Sequence, residues 1–501
     1  MSHYKAYCPA LFITAPSSDS GKTTLVSAMA RYWRNQGKNV RVFKTGPDFI
    51  DPIFHEFASG QPAHQLDLGM MGESICKQHL YQAAIEADLI LVEGVMGMFD
   101  GANNSASLAA KFGIPMLAVI PADKMAQTFG AIAYGLAHYQ KEVNLFGVIA
   151  NYVGSPGHAA MLKDSLPNGI TFCGAMPRDP SLALPERHLG LVQAQEIEAI
   201  DEWLEHTAKV LGENCELPLP EPVCFEAVSF ELEQDDNSAF LSSELLSQSL
   251  SQSRSKTQSR PLTGQTIAVA KDAAFSFIYH DNITLLQSLG ASIRYFSPIH
   301  DGAMPEADSL YLPGGYPELH LNALSDNTTM CESIKRHIDN NKPTLAECGG
   351  MLYLLETLGT NAQETAPMVG ALPGSASMQS SLQGLGMLSA EINGYRLTGH
   401  CFHYSKSSVD LAPIAIASQS GKTQMQEPVF VYKNTLGSYV HWYLPSSPQL
   451  VCQLFLGLLS QGQRSQGRLS QGQVSQERFK EKSDQYQSKR EPSNLANGAS
   501  R

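Results

Sequence analysis

An apolar stretch, residues 10–15, runs directly into Pro16-Ser17-Ser18-Asp19-Ser20-Gly21-Lys22-Thr23-Thr24, and few folds accommodate that order of residue types. A phosphate-binding loop needs backbone N–H groups aimed at anionic oxygens, a lysine for the terminal phosphates and a hydroxyl for Mg²⁺. Ser20, Gly21, Lys22, Thr23 and Thr24 supply these where a helix would start. Pro16 stands where the leading glycine of Gly-x-x-x-x-Gly-Lys-Thr is usual. Further short apolar strands are predicted at 40–44, 89–93, 116–120, 146–151 and 170–175, with helical stretches between them. That alternation implies βαβ crossovers and a doubly wound parallel sheet.

A phosphate loop does not place its own metal. Mg²⁺ prefers hard oxygen ligands, and carboxylates at the ends of neighbouring strands provide them. Two segments follow predicted strands into the crevice at the carboxyl edge of such a sheet: Gly46-Pro47-Asp48-Phe49-Ile50-Asp51-Pro52 and Glu93-Gly94-Val95-Met96-Gly97-Met98-Phe99-Asp100-Gly101. Thr23, Asp48 and Glu93 are the expected metal ligands and Asp100 a weaker one. Asp51, before Pro52, reads equally well as a helix cap.

Downstream, Pro343-Thr344-Leu345-Ala346-Glu347-Cys348-Gly349-Gly350 reads as a strand running into an elbow that presents a cysteine. Such an elbow exposes a nucleophile, aims helix N-terminal amides at a developing oxyanion and is expected to lower the thiol pKa. A thiol nucleophile needs a base, and His441 is the candidate, with His400 and His403 as competitors. Backbone amides at Gly315 and Gly349 are the expected oxyanion donors. Strands are predicted at 266–270, 292–296, 309–312 and 344–346, making this a second α/β unit.

The chain has 501 residues, enough for two cores, and its net charge of −13 leaves no footprint for nucleic acid or an anionic membrane. No apolar run is long enough to span a bilayer. Nine scattered cysteines with no Cys-x-x-Cys pair argue against a disulfide framework or structural zinc and fit a reducing cytoplasm. The predicted division is 1–215 for the phosphate-loop domain, 216–265 for a Ser/Gln-rich linker, 266–460 for the cysteine domain and 461–501 for a tail. The tail repeats Ser-Gln-Gly every five residues, a period that matches neither helix nor strand, and is expected to be disordered.

These motifs together resemble the cobyrinate a,c-diamide synthase family, in which a dethiobiotin-synthetase-like ATP domain is joined to a class I glutamine amidotransferase domain of flavodoxin-like α/β type. The resemblance spans roughly residues 8–455 and rests on the segments quoted above. It also rests on Arg187-His188-Leu189-Gly190-Leu191, Pro313-Gly314-Gly315-Tyr316-Pro317-Glu318 and His403-Tyr404-Ser405. It implies Cys348 as glutaminase nucleophile, His441 as its base, ATP with Mg²⁺ at the phosphate loop, and glutamine and a corrinoid as the other substrates. Asp100, Arg187 and His188 are implied corrinoid contacts, and a homodimer is the candidate assembly. Class I amidotransferases usually carry a Glu two residues after the histidine; Tyr443 stands there, as the Cys–His pair of this subfamily allows. Asp19 and Cys401 stand where relatives usually have Gly and Glu. The same modules occur in cobyric acid synthase, while a partitioning-type ATPase switch would usually carry an extra Lys early in the loop, which Pro16-Ser17-Ser18 lacks.

Overall fold

The computed structural model describes residues 4–184, 186–187, 190–191, 194–197, 199–227, 260–360, 364–419 and 425–459. The first half is built on β1 (Lys5–Thr14), β2 (Val40–Thr45), β3 (His64–Leu66), β4 (Leu89–Glu93), β5 (Met116–Pro121), β6 (Leu145–Val153) and β7 (Phe172–Pro177). They lie in the order β3-β2-β4-β1-β5-β6-β7, all parallel. Strands β4 and β5 are buried almost throughout, because helices cover both faces of a parallel sheet. The order places β1 between β4 and β5, so the loop leaving β1 opens into the central crevice, beside the loop that follows Glu93.

A small hairpin, β8 (Glu186–Arg187) and β9 (Gly190–Leu191), pairs antiparallel, and the helix Ile200–Asn214 packs on the helix Lys22–Asn35. The first described residues of the stretch expected as linker, 216–227, include a strand. This strand, β10 (Pro222–Glu226), pairs antiparallel with the first residues of β1, because Val223 and Phe225 bring apolar surface to an otherwise open strand segment. At the far end of the stretch Leu262 is fully buried in the second core. The Ser/Gln-rich residues 228–259 and the repeat tail lie outside the described residues.

The second half contributes β11 (Thr266–Ala270), β12 (Ser292–Phe296), β13 (Ser309–Leu312) and β14 (Thr344–Glu347). After them come β15 (Thr357–Gly359), β16 (Thr365–Pro367), β17 (Gly374–Met378), β18 (Gly384–Ile392), β19 (Tyr395–His403) and β20 (Ser405–Val409). The last are β21 (Ala415–Ser418), β22 (Gln426–Tyr432), β23 (Thr435–Ser438) and β24 (His441–Tyr443). The main sheet runs β12-β11-β13-β14-β23-β22-β21-β18-β19-β24. It is parallel from β12 to β23 and antiparallel beyond. Strands β16-β15-β17-β20 form a smaller sheet.

The halves meet through a buried polar contact and an aromatic one. Asp281, 6% exposed, accepts the Tyr443 hydroxyl at 2.9 Å and pairs with His64 of the first half at 2.9 Å. Burial opposes its charge, but His79 and the bonds from His64 and Tyr443 outweigh that and hold its carboxyl below the usual range. Asp281→Ala orphans a buried hydroxyl and an imidazole, and is expected to lower the melting temperature by roughly 5–10 °C. The pH dependence follows the sign of the shift: Asp281 contributes fully above pH about 4 and loses its contribution as pH falls through its folded pKa. A mutant melting within a degree of the wild type at pH 7 would show that this contact does not hold the halves together.

Candidate active site

The phosphate loop leaves β1 at Thr14 and enters the helix Lys22–Asn35 through Gly21, whose φ of 85° is left-handed. Asp19 also has a positive φ, 57°, which explains a glycine preference at that position; Asp tolerates it better than a branched residue. Lys22 Nζ donates to the carbonyls of Met96 at 2.8 Å and Ser17 at 3.2 Å, which folds the loop around its ammonium. Burial lowers the Lys22 pKa, with Glu93 acting against that.

Behind the loop lies a cluster that the sequence revealed only in part. Lys44, 3% exposed near the end of β2, sits 2.8 Å from Glu93 and 2.6 Å from Asp51. Glu93 also accepts the Thr23 hydroxyl at 2.9 Å and meets His55 Nε2 at 2.5 Å. Burial disfavours charge on Glu93, yet Lys44 and His55 outweigh it and hold the carboxyl well below its usual range. Asp51 is therefore part of this cluster through Lys44, more than the helix cap it resembled. Asp48, the more open carboxylate, accepts the amides of Ile50 and Asp51 at 2.8 and 3.3 Å. Thr23, Asp48, Asp51 and Glu93 are all hard oxygen donors, so their chemistry suits Mg²⁺. They border a cleft of about 430 Å³ with Ser20, Gly21, Lys22, Thr24, Asn151 and Tyr152. Asp100 is exposed and accepts the Gly97 amide at 3.0 Å, which shapes its own turn. Arg187 lies in β8, paired with Gly190, and His188 lies outside the described residues.

In the second half β14 delivers Cys348 at the centre of the sheet, between β13 and β23. Cys348 has φ 43° and ψ −110°, a strained conformation for a non-glycine residue, and its N–H donates to Ser438 O at 2.8 Å. The bend requires glycine at 350, where a Cβ would lie 2.2 Å from Leu312 O. A Cβ on Gly349 would sit 3.0 Å from Gly315 N, so the two expected oxyanion-donor segments abut.

His441 begins β24, a strand separate from β23, and is 1% exposed. It fits only because Gly314 has no side chain: a Cβ there would lie 2.1 Å from the imidazole Cε1. Burial, then His400 and His403, lowers its pKa to about 3, so the ring is neutral at pH 7. Phe49, next to Asp48, places its ring 4.9 Å from that of His441, 4.4 Å from Tyr279 and 5.1 Å from Phe277. The loop that presents Asp48 to the first site thus packs on the histidine of the second. Tyr443 points its hydroxyl to Asp281.

The expectation of a lowered Cys348 pKa is corrected. Burial first, then the nearby Glu318 charge, raises the thiol above its ordinary value. The six-residue helix after it offers mainly the Gly349 amide in opposition. The pocket that Cys348 shares with Glu318, His403 and Tyr404 is about 30 Å³, room for a water or two. Cys348 and His441 are therefore both neutral in this state.

A model of the CobB/CobQ-like glutamine amidotransferase domain matches residues 266–449, and one of the CobQ/CobB/MinD/ParA nucleotide binding domain matches residues 11–192. Hydrogenobyrinate a,c-diamide synthase of Stutzerimonas stutzeri is 48% identical over 88% of this chain and 97% of its own length. The chain belongs to the cobyrinate a,c-diamide synthase family. The enzyme called hydrogenobyrinate a,c-diamide synthase in Pseudomonas aeruginosa is 46% identical over 90% of the chain and 98% of its length. The cobyrinate a,c-diamide synthase of Herminiimonas arsenicoxydans is 40% identical over 89% and 96%. Among the described residues no helix is long and apolar enough to cross a membrane.

The raised thiol gives a direct test. Alkylation of Cys348 by iodoacetamide, followed by peptide mass, is expected to accelerate about tenfold per pH unit from 7 to 9 without levelling, because only the thiolate reacts. A plateau below pH 8 would mean that the thiolate is already stabilised in the free enzyme.

Proposed function

We propose that this chain is an ATP- and glutamine-dependent amide ligase that converts the a and c acetate carboxylates of a corrinoid to amides, in cobalamin biosynthesis. The carrying observation is the pairing, in one chain, of a phosphate-loop cleft rimmed by Asp48, Asp51 and Glu93 with a Cys348 elbow whose histidine abuts the same loop. The two most similar of the relatives named above are called hydrogenobyrinate synthases, which favours the metal-free macrocycle as acceptor.

In this reading Cys348 Sγ attacks the glutamine amide carbon as its proton passes to neutral His441. The oxyanion is met by the amides of Gly315 and Gly349. His441 returns the proton to the leaving nitrogen, ammonia departs, and water hydrolyses the thioester to glutamate. In the first half ATP transfers its γ-phosphoryl group to an acetate carboxylate; ammonia then attacks the acyl phosphate and phosphate leaves. Lys22 steadies the terminal phosphates, and Ser20, Gly21 and Thr24 line their side of the cleft. Bound Mg²⁺, held by Thr23, Asp48 and Glu93, would neutralise phosphate charge. Arg187 and His188 are assigned to the corrinoid carboxylates, and Asp100, confined to a backbone-anchored turn, to a corrinoid contact other than a carboxylate. The division into an ATP domain of 1–215, a linker of 216–265, an amidotransferase domain of 266–460 and a tail of 461–501 belongs to the same reading, with β10 pairing back onto β1. The nine cysteines, all unpaired, suit a cytoplasmic setting.

Both activations are needed because a carboxylate is a poor electrophile and ammonium a poor nucleophile. Cys348→Ala is expected to reduce glutamine-dependent amidation at least about a thousandfold while ammonia-dependent amidation stays within about threefold. Lys22→Ala is expected to stop both, since it removes a phosphate contact common to both nitrogen sources. Amides are counted by mass with cobalt-free and cobalt-loaded acceptors side by side. Loss of both activities in a folded Cys348→Ala enzyme, or ammonia-driven turnover untouched in Lys22→Ala, would refute the two-site reading.

A further inference from the structure

We propose that Cys401, His403 and Glu427 form a binding site for a transition-metal cation of the zinc class, beside the Cys348 pocket. Cys401 Sγ, an imidazole nitrogen of His403 and a carboxylate oxygen of Glu427 lie within 4.8 Å of one another. All three residues are buried, at 0%, 8% and 7% exposure. Cys401 and His403 are two apart on β19, so both project from one face of the sheet, and Glu427 joins them from β22. Sulfur, imidazole nitrogen and carboxylate oxygen together form the donor set of zinc; Mg²⁺ and Ca²⁺ take oxygens. Three protein ligands leave a fourth position for water or another donor.

The protons point the same way. His403 Nδ1 lies 2.8 Å from Ser405 O, and a carbonyl only accepts, so the N–H is on Nδ1. In the neutral ring Nε2 is then a lone pair, and it faces Glu427 Oε1 at 3.1 Å. Two acceptors at that distance require a proton or a cation between them. A buried imidazolium would supply the proton at the cost of a charged ring; a metal ion satisfies both acceptors and takes Cys401 as thiolate.

The surroundings fit as well. A histidine whose second nitrogen is fixed by a backbone carbonyl is the usual outer-shell arrangement of a metal ligand. Tyr439 stacks on the His403 ring at 3.7 Å and 6°, which fixes its plane. Opposite Nε2 stands Gly384, where a Cβ would come within 2.3 Å of that nitrogen, so space is kept at the metal-binding atom. The other histidine–carboxylate group, His64–His79–Asp281, differs: His64 faces Asp281 through Nδ1 and the Arg41 guanidinium through Nε2, and a cation would meet that positive charge.

The test uses the full-length, metal-stripped chain and Co²⁺, then Zn²⁺, as probes. In a Cys348→Ala background, which removes the neighbouring thiol, one equivalent of Co²⁺ is expected to bind with a thiolate-to-cobalt charge-transfer band, and one equivalent of Zn²⁺ to abolish it. Cys401→Ser is expected to eliminate the band. Glu427→Gln, which preserves shape, and Gly384→Ala, which fills the space at Nε2, are expected to weaken binding at least about tenfold. The proposal is overturned by a band that survives Cys401→Ser, by the absence of stoichiometric binding, or by a band that disappears with Cys348 while Cys401 is intact. Far-UV circular dichroism of each variant separates lost ligation from lost fold. The readout is spectroscopic, so it does not depend on the roles assigned to Cys348 and His441.

Discussion

The loop from Gly46 to Pro52 is the constraint on which both sites depend. Its carboxylates face the phosphate loop: Asp51 is held by Lys44, and Asp48 is turned by the amides of Ile50 and Asp51. Its aromatic side chain faces the other half, where Phe49 lies against Phe277, Tyr279 and His441. The loop cannot be repacked on one side without exposing apolar surface or buried charge on the other. Ring pairs of this kind contribute about 0.5–1.5 kcal/mol each beyond the area they bury, so three of them fix Phe49 firmly. One wall is thus shared between the cleft beside the phosphate loop and the buried histidine of the second half.

Charge balance explains why the first site is built around Lys44. Glu93 ends a fully buried strand, where an unpaired carboxylate would be prohibitive. Lys44 sits beside it in register on the neighbouring strand and supplies the countercharge, His55 takes the second oxygen, and Thr23 ties the cluster to the phosphate loop. Breaking this pair by removing Lys44 would leave several carboxylates facing one another in low dielectric, whereas a divalent cation arriving with phosphate adds charge of the sign the carboxylates favour.

Much of this was legible in the sequence because the parallel strands are short, apolar and separated by helices. All ten predicted strands are present, each within a few residues of its observed span, though β1 starts at Lys5, five residues before the predicted start. The mostly antiparallel strands from Thr357 to Tyr432 are not legible in the sequence, because half-exposed strands such as β20 and β21 carry polar residues with weak periodicity. Cys348 and Glu93 were readable because each ends an apolar strand before glycine. Lys44 also ends a predicted strand, but Thr45 separates it from Gly46, and a lone lysine after an apolar run reads as a snorkelling side chain. Asp281 and Phe49 became meaningful only when the halves were brought together, and no local pattern encodes that. Cys401 and His403 form a Cys-x-His pair that zinc-finger spacing rules do not flag; their third partner is 24 residues beyond His403 and one fold in the sheet away.

The state of the thiol follows from packing. A cysteine on a strained elbow is usually taken to be poised, yet here burial and the Glu318 charge raise its pKa while burial lowers that of His441 to about 3. Both shifts disfavour the ion pair, and both arise mainly from one cause, the exclusion of water. In the proposed reaction glutamine has to reach this pocket, whose volume of about 30 Å³ holds a water or two, so its binding requires the pocket to widen. Opening brings in the polar groups of the substrate, and hydration then relaxes both shifts in the direction that favours proton transfer from Cys348 to His441. The same exclusion of water that keeps this pocket small keeps the Cys348 thiol and the His441 ring uncharged.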